Sequence, residues 1–268
     1  MIQGALLGSP VGHSLGPVLH NAAFAFLEIE GNYRAIDVPA GTLQSFLTRE
    51  GESFDYFSVT MPLKEEALSL GFNADLRTLQ TQSANTLYRR NGQWNLTSTD
   101  GIGLVSALTH AGLIELRKVL ILGAGGTARA VTGALDSIVT EIHVLGRSSN
   151  RQEAIERAIN NASFQYYNWS REIDFSLYDL VINATPAGAS DELANFVQKN
   201  LESTLFDVNY KPWPSLLAQR WEDSGGKVIN GLELLLFQGI EALEIVLNRK
   251  LDRLVLANHL RGVLGSRI

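Results

Sequence analysis

The 268-residue chain has no cysteine, which excludes disulfides, thiolate metal ligands and a thiol nucleophile and fits a reducing compartment. No apolar run approaches the ~20 residues that cross a bilayer, so no membrane partner is expected. The first residues, Met1-Ile2-Gln3-Gly4-Ala5, have neither the basic start nor the long apolar stretch of a signal peptide, and the cytoplasm is the expected location. Blocks of basic charge are missing too. Twenty-two Lys and Arg against 28 Asp and Glu leave a net charge of −6, which argues against a nucleic-acid partner and for a small molecule. No His and Glu stand at metal-ligand spacing, so no metal is expected. What remains is ordinary globular composition, 45% hydrophobic and 19% charged. At about 100–200 residues per domain the length suits two domains.

The loudest motif is Val119-Leu120-Ile121-Leu122-Gly123-Ala124-Gly125-Gly126-Thr127-Ala128-Arg129-Ala130. An apolar run feeds a glycine-rich turn and the turn feeds an Ala-rich helical pattern, the strand–loop–helix context of a dinucleotide site. Gly123 permits the tight turn, Gly125 lets backbone approach a pyrophosphate, and small Ala128 lets helix pack close to strand. A helix starting near Gly126 aims its N–H groups and positive dipole end at phosphate. An NAD site usually offers Asp or Glu after the next strand, about 20 residues on, for the ribose 2′-hydroxyl. Here the chain reads His143-Val144-Leu145-Gly146-Arg147-Ser148-Ser149-Asn150-Arg151. Two guanidiniums and hydroxyl donors in place of a carboxylate suit a 2′-phosphate, so NADP is the expected cofactor.

Around that motif the chain alternates strands and helices, which predicts an α/β fold. In the N-terminal part, strands are expected at Gln3–Gly8, Tyr33–Val38 and Asp55–Val59, with helices at Pro17–Glu28 and about Gly41–Leu47. This βαβ rhythm implies a mostly parallel sheet. Asn91-Gly92 between two extended stretches signals a two-residue hairpin and an antiparallel sheet edge. A helical pattern over Gly101–Ala111 leads into a second series, with strands at Arg117–Leu122, Glu141–Leu145, Ser163–Tyr167, Leu177–Asn183, Thr204–Val208 and Lys227–Ile229. That series is long enough for a Rossmann-type doubly wound sheet. Gly231–Leu247 carries a wide apolar face at helical spacing.

Chemistry-bearing residues gather at predicted strand ends. Ser58-Val59-Thr60-Met61-Pro62-Leu63-Lys64 sets a hydroxyl and a lysine just past a strand; Ser83-Ala84-Asn85-Thr86 offers an amide, and Ser98-Thr99-Asp100-Gly101 a carboxylate. Singly these read as a surface lysine, a polar strand residue and a helix-capping Asp; they matter only if they converge. Asn183-Ala184-Thr185-Pro186-Ala187-Gly188 reads equally as an ordinary turn or a nicotinamide wall. His13 and His20 read as satisfied loop or helix residues rather than ligands.

Taken together, Gly8-Ser9-Pro10-Val11-Gly12-His13-Ser14-Leu15-Gly16-Pro17, Val59–Lys64, Ala84-Asn85-Thr86, Thr99-Asp100-Gly101, Gly123–Arg129, Asn183–Pro186, Asp207–Pro214 and Asn230-Gly231-Leu232 through Phe237-Gln238 resemble, in order and spacing, the motifs of shikimate dehydrogenases. The resemblance spans nearly the whole chain. It implies reversible NADPH-dependent reduction of 3-dehydroshikimate to shikimate, a step toward chorismate and the aromatic amino acids. Lys64 and Asp100 become the catalytic pair. Ser14, Thr60, Asn85 and Gln238 hold the substrate carboxylate and ring hydroxyls, with Tyr210 bordering the substrate. Gly123, Gly125, Gly126, Thr127 and Ala128 hold the pyrophosphate, Arg147 and Arg151 the 2′-phosphate, and Thr185 and Gly231 flank the nicotinamide. The expected substrate domain is 1–100 completed by C-terminal helices over 235–268, and the dinucleotide domain is 101–234. The substrate is expected in a cleft between them, in a monomer or homodimer.

The chemistry suits these residue types. Negative charge grows on the ketone oxygen during reduction, so a cation and a proton donor must wait there, and lysine can be both. Which of Lys64 and Asp100 delivers the proton stays open. Two departures stand out. The family's first loop usually carries a second serine where this chain has Gly16, and losing one neutral hydrogen bond costs on the order of 0.5–1.5 kcal/mol. Relatives acting on quinate alter this same corner, so a quinate or dual quinate/shikimate dehydrogenase using NAD is the alternative. Gly146 also replaces the asparagine usual before the cofactor arginine. From another class, a catalytically silent metabolite or cofactor sensor is the rival, and the intact Lys64 and Asp100 pair speaks against it.

Overall fold

The computed structural model describes residues 1–169 and 172–265; positions 170–171 and 266–268, within the expected domain spans, lie outside the described residues. Backbone proximity divides the chain into two units, Met1–Gly103 with the chain from Leu235, and Leu104–Leu234.

The first unit runs β1 (Ile2–Gly8), α1 (Gly16–Phe26), β2 (Gly31–Asp37), α2 (Leu43–Glu50), β3 (Tyr56–Val59), α3 (Glu66–Ser69), β4 (Asn73–Ala74), α4 (Leu76–Thr81), β5 (Thr86–Arg90) and β6 (Gln93–Thr97), followed by α5 (Asp100–His110). Its six strands lie in the order β2-β1-β3-β5-β6-β4. The β1–β2, β1–β3 and β4–β6 pairs are parallel, and β5 runs antiparallel to both β3 and β6. Alternation along the strands sorts side chains to the two faces. Ala5 and Leu7 of β1 join Phe57 and Val59 of β3, Leu87 of β5, and Leu43 and Phe46 of α2 in one buried cluster. On the other face, His20 of α1 stacks on Tyr33 at 4.1 Å between ring centroids, and its Nδ1 lies 2.9 Å from the Tyr56 hydroxyl. The hairpin turns at Asn91-Gly92, where both residues take positive φ (52° and 76°), as a two-residue turn between twisted strands demands. The hairpin is not the sheet edge, however: β4 pairs parallel with β6 beyond it.

The second unit contains β7 (Lys118–Leu122), α6 (Gly126–Leu135), β8 (Glu141–Gly146), α7 (Gln152–Glu156), β9 (Ser163–Asn168), β10 (Leu180–Asn183), β11 (Thr204–Asp207), α8 (Leu216–Asp223) and β12 (Lys227–Ile229). All its strand pairs are parallel, in the order β12-β11-β10-β7-β8-β9. The chain therefore winds outward in both directions from β7, and the switch point lies between β7 and β10, where such sheets bind dinucleotides. The expected strand at Leu177–Asn183 begins only at Leu180, because Phe175–Leu177 form a 3₁₀ turn opened by the Asp174 carboxylate, which accepts the Ser176 N–H at 3.0 Å. Leu120, Val181, Leu205 and Leu217 share a core with fully buried Trp221, whose indole donates to the Ser203 carbonyl at 2.9 Å. The chain ends in α9 (Gly231–Leu247) and α10 (Arg253–Gly265). Among the described residues no helix is long and apolar enough to cross a membrane.

Candidate active site

In the first unit, three strand ends bring the polar residues together. Beyond β3 the chain tightens into a turn, Leu63 N–H donating to the Thr60 carbonyl at 2.8 Å, and this turn presents Lys64. Asn85 sits just before β5 with its backbone tied on both sides, donating to the Thr97 carbonyl at 3.1 Å and accepting from Val59 N–H at 2.7 Å. Asp100 opens α5 after β6. The Lys64 ammonium donates to Asp100 Oδ2, and Asn85 Nδ2 donates to Asp100 Oδ1 at 2.7 Å. With side-chain exposures of 16% for Lys64 and 8% for Asp100, the pair is shielded from bulk water while the ammonium can still be reached.

Asn85 is the hub. Its Oδ1 accepts the Thr99 N–H at 2.8 Å, and its amide lies 3.3 Å from Gln238 Oε1, which also lies 3.3 Å from the Thr99 hydroxyl. Gln238 is anchored in α9 by Nε2 donating to the Leu235 carbonyl at 2.9 Å. Thr99 is a member that sequence reasoning did not single out, although it stands inside the Thr99-Asp100-Gly101 motif. Ser14 and Thr60 lie on the loops after β1 and β3, neighbouring strands. Ser14 Oγ accepts the Gly16 N–H at 3.1 Å, and the Thr60 methyl lies against Gly8 at the end of β1. A cation fixed by a carboxylate, ringed by amide and hydroxyl groups, can bind a polyhydroxylated molecule and steady negative charge on an oxygen.

In the second unit, the turn after β7 is built for close approach. Gly123 has φ +102°, and a Cβ there would stand 3.1 Å from the Ala184 carbonyl oxygen, so both conformation and space call for glycine. Gly125 is the N-cap of α6 and brings no side chain to cap that helix. The first turn, Gly126, Thr127 and Ala128, thus presents backbone N–H groups and a positive dipole end. Beyond β8, Arg147 and Arg151 are solvent-exposed, and Arg147, Ser148 and Ser149 line a cavity of about 850 Å³ with Asn168, Trp169, Phe196 and Glu192, whose carboxylate accepts from the Trp169 indole. A glycine cradle, a helix whose N-cap is glycine, and two guanidiniums with no Asp or Glu at the end of β8 fit an anionic dinucleotide.

A buried polar network holds the remaining wall of this unit. Asp207, fully buried at the end of β11, accepts from Asn183 Nδ2 at 3.1 Å, from Asn209 N–H at 3.0 Å and from the Ser215 hydroxyl at 2.6 Å. Asn209 in turn donates to the Thr185 carbonyl at 3.1 Å and accepts the Gly231 N–H at 3.1 Å. Asn209 therefore clips Thr185 and Gly231 to one support. Tyr210 follows it in the same unit.

Residues 6–87 match the family model described as the shikimate dehydrogenase substrate binding domain. The shikimate dehydrogenase (NADP(+)) of Staphylococcus epidermidis is 31% identical over 258 residues, covering 94% of this chain and 93% of the relative. Among solved structures, the shikimate dehydrogenase of Mycobacterium tuberculosis superposes with a TM-score of 0.86 at 28% identity, over 98% of this chain and 100% of that one. The Thermus thermophilus shikimate 5-dehydrogenase, solved with NADP(H) and shikimate, gives 0.83 at 28% identity, over 98% and 100%. With a doubly wound parallel sheet, a Lys–Asp pair held by Asn85, and likeness along almost its entire length, the chain belongs to the shikimate dehydrogenase family.

Proposed function

We propose that this protein catalyses the reversible NADPH-dependent reduction of 3-dehydroshikimate to shikimate. The observation that carries the reading is the Lys64–Asp100 pair, gripped by Asn85 and flanked by Thr99 and Gln238. In this reading the Met1–Gly103 unit with the chain from Leu235 binds substrate, and Leu104–Leu234 binds cofactor. Bound NADPH supplies the reducing equivalent. Lys64 Nζ lies against the substrate oxygen, where it stabilises the charge that grows there. Asp100 holds the ammonium in place, and the pair hands a proton to that oxygen, or takes it back in the reverse direction. Asn85, Gln238, Thr60 and Ser14 orient the ring hydroxyls and carboxylate, and Tyr210 borders the substrate. Gly123, Gly125, Gly126, Thr127 and Ala128 hold the pyrophosphate, Arg147 and Arg151 the 2′-phosphate, and Thr185 and Gly231 the nicotinamide end. The same reading places a monomer or homodimer in the cytoplasm.

Mixing the protein with shikimate and NADP is expected to raise absorbance at the reduced-nicotinamide band. Silence with every cyclitol acid tested refutes the assignment, and faster turnover of quinate with NAD refutes both the substrate and the role of Arg147. Lys64→Ala is expected to lower turnover by roughly 10²–10⁴-fold while NADP still binds. A variant that kept its turnover would remove Lys64 from the chemistry.

A further inference from the structure

The turn that carries Arg147 and Arg151 is held by a residue of the next strand, Tyr166. β8 and β9 run parallel with Val144 opposite Tyr166 and Gly146 opposite Asn168. From β9 the Tyr166 ring reaches over to the end of β8. Its hydroxyl occupies the space that a Cβ on Gly146 would take, and such a Cβ would also stand 2.6 Å from Tyr166 Cζ. The hydroxyl donates to the Ser148 carbonyl at 2.7 Å. That same carbonyl lies 3.4 Å from the Arg151 N–H, and the Ser148 hydroxyl accepts from Asn150 N–H at 3.3 Å. One phenol thus meets the residue before Arg147, the residue after it, and through Ser148 the backbone of Arg151. Half-buried Tyr166 has its phenol raised above the ordinary value by burial, with Arg151 pulling it the other way, which sets that guanidinium within electrostatic range.

We propose that Tyr166 is a positioning residue for the 2′-phosphate end of the cofactor, its hydroxyl fixing the Arg147–Arg151 turn so that both guanidiniums are presented to the phosphate. The inference rests on the reading of Arg147 and Arg151 given above. Glycine at 146 is the complement of this arrangement, because any side chain there would push the phenol off Ser148. A turn held in place beforehand loses less freedom when a ligand is bound, so the benefit falls on ligands that carry the 2′-phosphate and not on those that lack it.

The test uses the whole protein and two fragments, adenosine 2′-monophosphate and adenosine 5′-monophosphate, titrated calorimetrically, with KM for NADP and NAD measured alongside. Tyr166→Phe keeps the ring and removes only the hydroxyl. It is expected to weaken adenosine 2′-monophosphate and raise KM for NADP by about three- to tenfold, the loss of one hydrogen bond's positioning, leaving 5′-monophosphate and NAD nearly unchanged. Gly146→Ala, which displaces the phenol from the other side, is expected to shift the same ratio in the same direction, with the thermal midpoint recorded to show that each variant is folded. Equal weakening of both fragments, or no change in either, overturns the proposal. Arg147→Ala separates the two levels. If it shifts the ratio while Tyr166→Phe does not, the positioning role falls and the arginine reading stands; if neither shifts it, both fall.

Discussion

Gly16 is the residue at which this chain parts most clearly from the family pattern, and its surroundings say what the change does. It opens α1 in ordinary helical backbone. A Cβ there would meet Ser14 Oγ at 3.4 Å, Leu6 Cδ2 at 3.8 Å and Tyr33 Cε1 at 3.9 Å, all ordinary contacts. No close approach at this position therefore requires glycine, and a Cβ fits without strain. The absence of the serine bears on the ligand. Gly16→Ser is expected to lower KM for shikimate by about three- to tenfold, the worth of one neutral hydrogen bond, with kcat unchanged. An unchanged KM would place the substrate carboxylate away from this corner. Beneath it, the Tyr33 hydroxyl is buried beside Ser58, yet neither hydroxyl makes a well-formed hydrogen bond. Burial holds the Tyr33 phenol well above the ordinary range, with Ser58 only partly offsetting it.

At the scale of elements, α8 shows how one side chain serves both a helix and a loop. Ser215 caps α8 by accepting the Ala218 N–H at 3.0 Å and donates to buried Asp207 at 2.6 Å. Ser215→Ala removes the cap and leaves Asp207 short of a donor, so a loss of roughly 2 kcal/mol in urea unfolding is expected; a loss well under 1 kcal/mol would mean that water replaces the hydroxyl. The elements themselves were legible where a repeat or a turn signal existed. The strand feeding Gly123, the Asn91-Gly92 turn and the apolar face of α9 all follow from local periodicity and backbone chemistry. β4 was illegible, because two residues, Asn73 and Ala74, carry no period. The active site was legible only in part. Lys64, Asn85 and Asp100 look mundane until β3, β5 and β6 align their ends, so the family resemblance, not spacing, marked them. The complementarity of Gly146 and Tyr166 was hidden for the same reason: it exists only once β8 and β9 are in register, and the same holds for the joining of Asn183, Asp207 and Asn209.

For the molecule as a whole, acid is expected to act through three buried groups. His20 is buried against Tyr33 and Tyr56, and burial lowers it from 6.5 to about 3. Between those values the unfolded chain takes up a proton that the folded protein refuses. Its contribution is therefore complete above pH 6.5 and declines as pH falls, by at most about 1.4 kcal/mol per pH unit. Glu244 enters lower. Burial alone would push it up, but hydrogen bonds from Arg253, the Leu251 N–H and Lys250 outweigh that and hold it at about 2, against 4.5 when unperturbed. Its depressed value gives stability that is complete above pH 4.5 and lost toward pH 2, roughly 3 kcal/mol over the range. In the other unit, burial would raise Asp136, yet the backbone N–H groups of Ala162 and Asn161 hold it below its ordinary value, so it too loses its contribution in acid. Stability from urea midpoints should decline gently below about pH 6.5 and steeply below about pH 4.5. Glu244→Gln is expected to be less stable at neutral pH but to have a shallower slope in the lower window, and His20→Gln a shallower slope in the upper one. Slopes identical to the parent protein in both variants would assign the acid sensitivity to other groups.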